Sequence, residues 1–478
     1  MALTYDVVII GGGVIGTAIA ARLSQTKAKV CLVEKAGDIA EGASKGNAGG
    51  ASSYYDPPGS LAERMTTASY KRWEDICERL NVPYRRIGGM IPAFTEKDEE
   101  QIHINYEEAK ACGVRSEMLT KKQALQHEPM LAKDCHSAVL FADDGIIDPM
   151  RLVFAYAELA ASNGVDVHFH SPVIGFETQG GLVSAAITPK GTIRAQFFVN
   201  ASGVFADMIS QFAEGEDFRM WPRRGQYWLL DREFGANIHH VIYGVAHPEA
   251  GTKGIHIYPT TNRSVLLGPS VEEIEDPYDT STDAKTLDNV FQSTKRIMPS
   301  ISLDYVIKSF AANRPTCEEP FFVRVDRKVP NLIHAVSRSI GVTTSPGIAD
   351  YVLDLLKDSG LQAEEDLSAV LRLPFVPRLG HESHPERINL ESVGRSFSQI
   401  VCVCEQVTAG EIEAALKAHI PARSIDGVRK RTGACGGRCQ GAVCMAGVTF
   451  LCSAHGDQPP ENILMREGGE IGIGRVHK

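Results

Sequence analysis

Asp6-Val-Val-Ile-Ile10 followed at once by Gly11-Gly-Gly-Val-Ile-Gly16 is the stretch that decides the fold. The apolar, β-branched run reads as a buried parallel strand. Thr17 to Leu23, rich in Ala, reads as the helix that follows. Between them stands G-x-G-x-x-G: Gly11 for the tight turn, Gly13 for close backbone approach to a pyrophosphate, Gly16 for helix–strand packing. The helix start supplies free N–H groups and a positive dipole end for phosphate. A second strand, Lys29-Val-Cys-Leu-Val33, ends at Glu34, eighteen residues past Gly16. A carboxylate there suits a ribose 2′-hydroxyl, so the cradle favours FAD or NAD over NADP. Lys35 follows it.

Working outward, two further segments join the cradle. Gln196-Phe-Phe-Val199 is another strand, ending in the small residues Asn200-Ala-Ser-Gly203. Gly341-Val-Thr-Thr-Ser-Pro-Gly-Ile-Ala349 reads as a glycine loop entering a helix through Tyr351 and Leu355. The loop after Asp38, with Ser44 among its small residues, suits approach by a bulky ring. One cofactor touched from segments so far apart is a long dinucleotide, and FAD fits best. Ala201, Gly203, Gly341, Thr343, Gly347 and Ile348 join the cofactor-binding candidates.

Composition sets outer bounds. A chain of 478 residues is too long for one simple domain. Its net charge of −10 argues against a nucleic-acid partner, because no basic excess faces phosphate. No apolar run approaches the roughly 18 residues that span a bilayer. No signal peptide is evident, so the chain reads as cytoplasmic. In a reducing compartment, clustered cysteines point to metal or catalysis rather than disulfides.

At these residues the sequence resembles the D-amino-acid-oxidase-like superfamily of flavoproteins, which includes glycine oxidase, sarcosine oxidase and glycerol-3-phosphate dehydrogenase. The resemblance covers about residues 5–360. It implies an α/β fold: a Rossmann-like FAD-binding domain with an inserted mixed β-sheet substrate domain. We place the former at residues 1–84, 146–219 and 321–360, and the latter at 85–145 and 220–320. It also implies that Val173 meets the adenine through its backbone, and that the loop at 341–347 meets the flavin ring and its ribityl chain.

Oxidation of a carbon bearing OH or NH2 needs an anion clamp and a group that helps the proton leave. Arg314, in Asn313-Arg-Pro315, is the best clamp by type, since guanidinium holds carboxylate or phosphate with two parallel bonds. In the family an Arg-Pro here faces the substrate. Tyr258 and His256 share one side of a strand by period two and are the donor or base candidates. Lys253, Arg223 and Arg224 are further sources of positive charge. One departure stands out. Relatives acting on glycerol 3-phosphate or 2-hydroxyglutarate usually carry a His in the loop passing the flavin. Residues 46–56 have none, which leaves Ser52, Ser53, Tyr54 or Tyr55 in its place and the base unassigned.

Residues 361–395 read as a connector laid over the surface, with His381 and His384 most simply solvated. A new unit follows over 396–455, with a tail at 456–478. Cys402-x-Cys404 and, thirty-four residues later, Cys439-x4-Cys444 are four candidate metal ligands. Zinc sites favour C-x2-4-C pairs, and glycines beside cysteines turn N–H groups toward inorganic sulfide. The pattern resembles the bacterioferritin-associated-ferredoxin-like [2Fe–2S] module of anaerobic glycerol-3-phosphate dehydrogenase large subunits. That resemblance implies a small helical [2Fe–2S] domain held by Cys402, Cys404, Cys439 and Cys444. Cys435, where relatives usually have Gly, leaves a rival pair with Cys439 open.

The whole reads as an FAD-dependent dehydrogenase that oxidises a small anionic 2-hydroxy acid or glycerol 3-phosphate. Its electrons pass to a [2Fe–2S] cluster and then outward. The resemblance implies a partner flavoprotein and a small cysteine-containing electron-transfer subunit, with membrane association only through them. The alternatives are an amino-acid or secondary-amine dehydrogenase and an electron-transfer subunit with a vestigial pocket.

Overall fold

A computed structural model describes residues 3–247, 254–319, 321–380, 390–456, 459–466 and 469–470. Lys253, His381 and His384 lie outside the described residues. Two large sheets and a small helical unit make up the fold. In the first sheet, Leu3–Ile10 lies between Gly191–Asn200 and Val30–Val33, parallel to both. Asp166–His168 and Leu332–Ser337 extend it in parallel at either side, and Gly175–Gln179 and Leu182–Thr188 add an antiparallel edge. Residues Val7 to Ile9 and Val30 to Val33 are at most 2% exposed, as strands covered on both faces must be.

The helices Val14–Leu23, Pro149–Ser162 and Gly341–Asp358 cover this sheet. The last begins at Gly341 itself and carries Pro346 within its first turns. The glycine stretch expected as a loop is therefore helix. Pro346 sits in the second turn and lacks the N–H that would bond the Val342 carbonyl; that carbonyl accepts instead from the Ser345 hydroxyl at 3.0 Å.

The second sheet is mixed and mostly antiparallel. At one end lies the long pair Met220–Leu230 and Val306–Cys317, which sets Arg314 opposite Arg223. Val265–Gly268 and His256–Pro259 follow as a hairpin, then Val241–Ile242, Gly89–Ala93, Ser137–Phe141 and Ser116–Thr120. A small sheet of Gly50–Ala51, Gly145–Ile147 and Tyr84–Arg86 stands apart from both.

Residues 361–380 cross the surface of the first domain in extended form. Glu365 bridges Thr26 and pairs with Arg22, and Arg378 donates to the carbonyl of Asn81. The C-terminal unit has its own core of Val407, Ile412, Ile425, Val428 and Val448. Its helix Ala409–Lys417 starts from a full capping box of Thr408 and Glu411. Ile425–Thr432 is capped by Ser424 and stopped by Gly433 in the left-handed region. Met445–His455 follows the last cysteine pair, and Ile463 of the tail folds back into this core. Among the described residues no helix is long and apolar enough to cross a membrane.

Candidate active site

The opening glycines, the 196–203 strand end and the Gly341 helix meet around one cavity of about 540 Å³. Gly11, Gly13, Glu34, Lys35 and Ser44 line one part of it, with Ala201, Gly203, Gly341 and Thr343. Each glycine has a separate steric reason. A Cβ on Gly11 would sit 2.6 Å from the Ala201 carbonyl oxygen, and Gly11 has φ +111°. A Cβ on Gly16 would sit 1.9 Å from the Gly11 oxygen, so Gly16 permits packing and does not line the cavity. Gly13 borders open space, with Ser44 Oγ the nearest atom at 3.5 Å.

The walls suit an ADP-bearing cofactor. The helix Val14–Leu23 has no side-chain cap, and of its first N–H groups Val14's donates to Ser44 Oγ at 3.0 Å. The rest of that turn is left to bind an anion. Glu34 is fixed by accepting from the N–H groups of Gly12 (2.6 Å) and Ala36 (2.9 Å). Each of its oxygens keeps a lone pair for a ribose hydroxyl. Lys35 at the rim lies 3.4 Å from the Phe205 ring centroid and donates to Tyr278.

Besides Gly16, three of the residues expected at the cofactor do not line this cavity. Val173 is packed with Val8, Ile10 and Val33 beneath the sheet. Gly347 abuts the helix Leu61–Tyr70, where an added Cβ would lie 2.6 Å from the Met65 oxygen. Ile348 is fully buried in the main core. Because the helix begins at Gly341, these last two fall on its inner face rather than on a loop at the flavin. Thr343 does face the cavity, donating to the Gly50 carbonyl at 2.9 Å.

Arg314, Tyr258 and His256 line the other part of the same cavity. Arg314 is aimed by two backbone carbonyls, of Ser270 at 2.9 Å and of Arg223 at 3.4 Å. Among the described residues three arginines line the cavity. Arg223 is paired with Glu273, and Arg338 with Asp56. Among the described residues Arg314 has no carboxylate partner. Arg224 faces away and is satisfied by Glu272 and Asp279. Gly50 lies against the Tyr258 ring, where a Cβ would come 3.0 Å from the hydroxyl. Burial pushes that hydroxyl well above the ordinary tyrosine range, so it stays a donor. His256 Nδ1 accepts from the Gly244 N–H at 3.1 Å. That fixes the neutral ring with its proton on Nε2, a donor and not a base.

Sequence reading missed Arg338 and Ser339, whose hydroxyl pairs with that of the candidate Tyr55 at the cavity. Arg338 precedes a glycine stretch that drew attention to itself. The signal that marks it, a cation paired with the buried Asp56 across 282 residues, exists only in the fold.

In the C-terminal unit the four expected cysteines come together as two contacting pairs, Cys402 with Cys444 and Cys404 with Cys439. Two thiol pairs suit a two-iron cluster, each iron taking two sulfurs. Cys402 and Cys444 are buried, whereas Cys404 and Cys439 are partly exposed. Cys435 adopts φ +65°, with its sulfur 3.5 Å from that of Cys444.

This unit is seated on the flavin-side wall. Arg431 donates to both oxygens of Asp38 (2.9 and 2.8 Å) and lies 3.8 Å over the Phe154 ring. Lys430 pairs with Asp38 and Glu41, and Lys45 with Asp426. Burial pushes the Asp38 carboxyl up, but Arg431 and Lys430 outweigh it and hold it below the usual range. Glu41 to Ser44, on this same segment, line the cavity.

The match to known proteins follows the same division. Residues 6–355 match the family described as FAD dependent oxidoreductase, and residues 400–450 the BFD-like [2Fe–2S] binding domain. A glycerol 3-phosphate dehydrogenase of Caloramator mitchellensis is 31% identical over 92% of each chain. An anaerobic glycerol-3-phosphate dehydrogenase subunit A1 of Haloferax volcanii is 28% identical over 92% of this chain and 81% of its own. Among solved structures, the FAD-bound L-α-glycerophosphate oxidase of Mycoplasma pneumoniae superposes with TM-score 0.73 at 26% identity. That match covers 78% of this chain and all of the oxidase. A cradle of glycines and Glu34 over most of the chain, with four paired cysteines behind it, has one reading: the chain belongs to the FAD dependent oxidoreductase family and carries a BFD-like [2Fe–2S] domain at its C-terminal side.

Proposed function

We propose that the chain is a dehydrogenase for a small hydroxy compound with one anionic group, glycerol 3-phosphate or a 2-hydroxy acid. The observation that carries this is Arg314, a cavity arginine aimed by two carbonyls and matched by no carboxylate among the described residues. Such a guanidinium binds an anionic oxygen group with both charge and geometry. Relatives named for glycerol 3-phosphate and L-2-hydroxyglutarate support the same class. FAD, when bound, accepts a hydride and can release its electrons singly to an iron–sulfur cluster.

In this reading Tyr258 and the His256 Nε2–H donate to the oxygen of the reacting carbon, and Arg314 holds the anionic end. Gly11, Gly13 and the first turn of the Val14 helix hold the pyrophosphate, and Glu34 the ribose. Cys402, Cys404, Cys439 and Cys444 hold the cluster. The acceptor is a partner protein, a second flavoprotein or a small cysteine-containing subunit. Val403, Val443 and Phe450, all more than 65% exposed in the cluster domain, offer apolar surface for it. We place the protein in the cytoplasm, at the membrane only through such partners.

The test is anaerobic bleaching of the flavin by a panel of 2-hydroxy acids, glycerol 3-phosphate and amino acids. Bleaching by an anionic hydroxy compound, followed by an electron paramagnetic resonance signal from the cluster, is the expected result. Bleaching by an amino acid alone, or by nothing, refutes it.

A further inference from the structure

Neither polar residue expected to act on the substrate can take its proton. Tyr258 is held protonated by burial, and His256 is held with its proton on Nε2. An acid that sequence reading passed over stands behind them. Asp144 is 1% exposed, and among the described residues no Lys, Arg or His pairs with it. Its Oδ1 accepts from the Ser53 N–H (2.7 Å) and Ser53 Oγ (2.6 Å). Its Oδ2 accepts from the Tyr243 hydroxyl at 2.7 Å. Tyr243 Oη in turn lies 3.3 Å from Ser52 Oγ, and Ser52 lines the cavity.

The directions of these bonds agree. Tyr243 gives its one proton to Asp144, so toward Ser52 it offers a lone pair. Ser52 then donates to Tyr243 and turns its own lone pairs to the cavity. Both hydrogen bonds of the chain Ser52–Tyr243–Asp144 point from the cavity to the carboxylate.

We infer that Ser52, Tyr243 and Asp144 form a proton relay that drains the substrate hydroxyl. This rests on the dehydrogenase function proposed above. The C–H bond breaks with its electron pair leaving as hydride to FAD, so substrate loses and flavin gains two electrons. The O–H proton moves to Ser52 Oγ, the Ser52 proton to Tyr243 and the Tyr243 proton to Asp144, which ends as a neutral carboxyl. Asp144 never touches the substrate and is a positioning residue; Ser52 does the contacting.

The surroundings of the acid are suited to the role. Burial lifts the Asp144 carboxyl to about 6, against the lowering by its bonds to Ser53 and Tyr243. Asp143 beside it adds a like charge, itself tied to Arg115 and, at 3.9 Å, Arg86. Tyr258 faces it from the His256–Pro259 strand, and the His256 ring packs edge-on to Tyr243. A carboxylate poised near 6 accepts a proton at neutral pH and can release it again.

The experiment measures anaerobic flavin reduction by the best substrate of the panel between pH 5 and 9, in the wild type and in S52A, Y243F and D144N. The wild-type rate should fall below about pH 6 as Asp144 fills. D144N and Y243F should slow reduction by about 10²-fold or more and remove that acid limb, with substrate dissociation constants within about threefold. A D144N enzyme with the wild-type rate and acid limb overturns the relay. A second readout needs no substrate. An infrared titration of the resting holoenzyme should show a protonated-carboxyl band growing in near pH 6. The band should be absent in D144N and displaced in both Y243F and S52A. A band that S52A leaves in place overturns the relay. If no compound bleaches the wild type, the proposed function fails, and the infrared result alone decides whether the chain of hydrogen bonds is connected.

Discussion

Asp38→Asn should loosen the cluster domain from the flavin domain. Asp38 receives two bonds from Arg431 and one ion pair from Lys430, whose side chains are 6% and 2% exposed. Breaking one partner of a buried pair costs about 3–5 kcal/mol, because the remaining charge is stranded. Here the low end applies. Arg431 keeps its bonds to the Ile420 and Gly427 carbonyls and its place over Phe154, and Lys430 keeps Glu41. A loss of about 3 kcal/mol raises the undocked fraction by roughly 10²-fold, at about 1.4 kcal/mol per tenfold. Hydrogen exchange of amides in the Ile425–Thr432 helix and in residues 38–44 reads that fraction directly. Electron passage from reduced flavin to the cluster, followed by stopped flow, should slow in parallel. Arg431→Met should cost a similar amount, and the double variant less than the sum, with a coupling of at least about 1.5 kcal/mol. A change in protection below about threefold in D38N, or additive single and double variants, refutes the account of how the domain is seated.

Other expectations are briefer. Arg314→Met should raise KM for an anionic substrate by about 10- to 10²-fold while leaving FAD content unchanged, since one buried charge-assisted contact contributes about 1.5–3 kcal/mol; an unchanged KM would remove Arg314 from the substrate. Gly16→Ala should abolish FAD retention on a desalting column, because its methyl would lie 1.9 Å from the Gly11 oxygen, a backbone atom that cannot swing aside. Cys435→Gly should keep the cluster's visible absorption and gain about 1 kcal/mol in the cluster domain, since a Cβ in the left-handed region is strained there, whereas Cys439→Ala should lose the absorption. Asp144 has its folded carboxyl raised from 3.8 to about 6, so its contribution is most favourable at acid pH and is lost as pH rises through 6. Relative to D144N, the wild type should therefore lose about 2.4 kcal/mol between pH 4 and 7. Parallel urea titrations of the two across that range check the sign.

What could be read from the sequence was local, or repeated a chemistry of known spacing. The glycine cradle with Glu34 is a contiguous stretch, Gly11 to Glu34, and the two cysteine pairs each span a few residues. Arg314 was found by type, because a dehydrogenase for anions needs a cation and Asn-Arg-Pro is a distinctive setting. Asp144 was missed for an equally physical reason. In Phe141-Ala-Asp-Asp-Gly145 two acids before a glycine look like a solvated turn. Burial comes from Ser53 and Tyr243, 91 and 99 residues away. Gly347 and Ile348 were placed at the flavin because a glycine run reads as loop. The helix starts six residues before Gly347 and turns both inward. The seat of the cluster domain was invisible for the same reason as Asp144: Asp38 and Arg431 are 393 residues apart.

The segment from Asp38 to Ser44 has two jobs at once, with one side toward the flavin cavity and the other under Lys430 and Arg431. Anything that settles one side settles the other, and such a linkage acts equally in both directions. Flavin insertion should therefore firm the platform on which the cluster domain rests, and a filled cluster domain should slow the escape of flavin. During maturation the two prosthetic groups would then be gained as a set. A chain lacking either would be the looser, more protease-sensitive form, which gives a cell a physical means of telling half-assembled enzyme from finished enzyme.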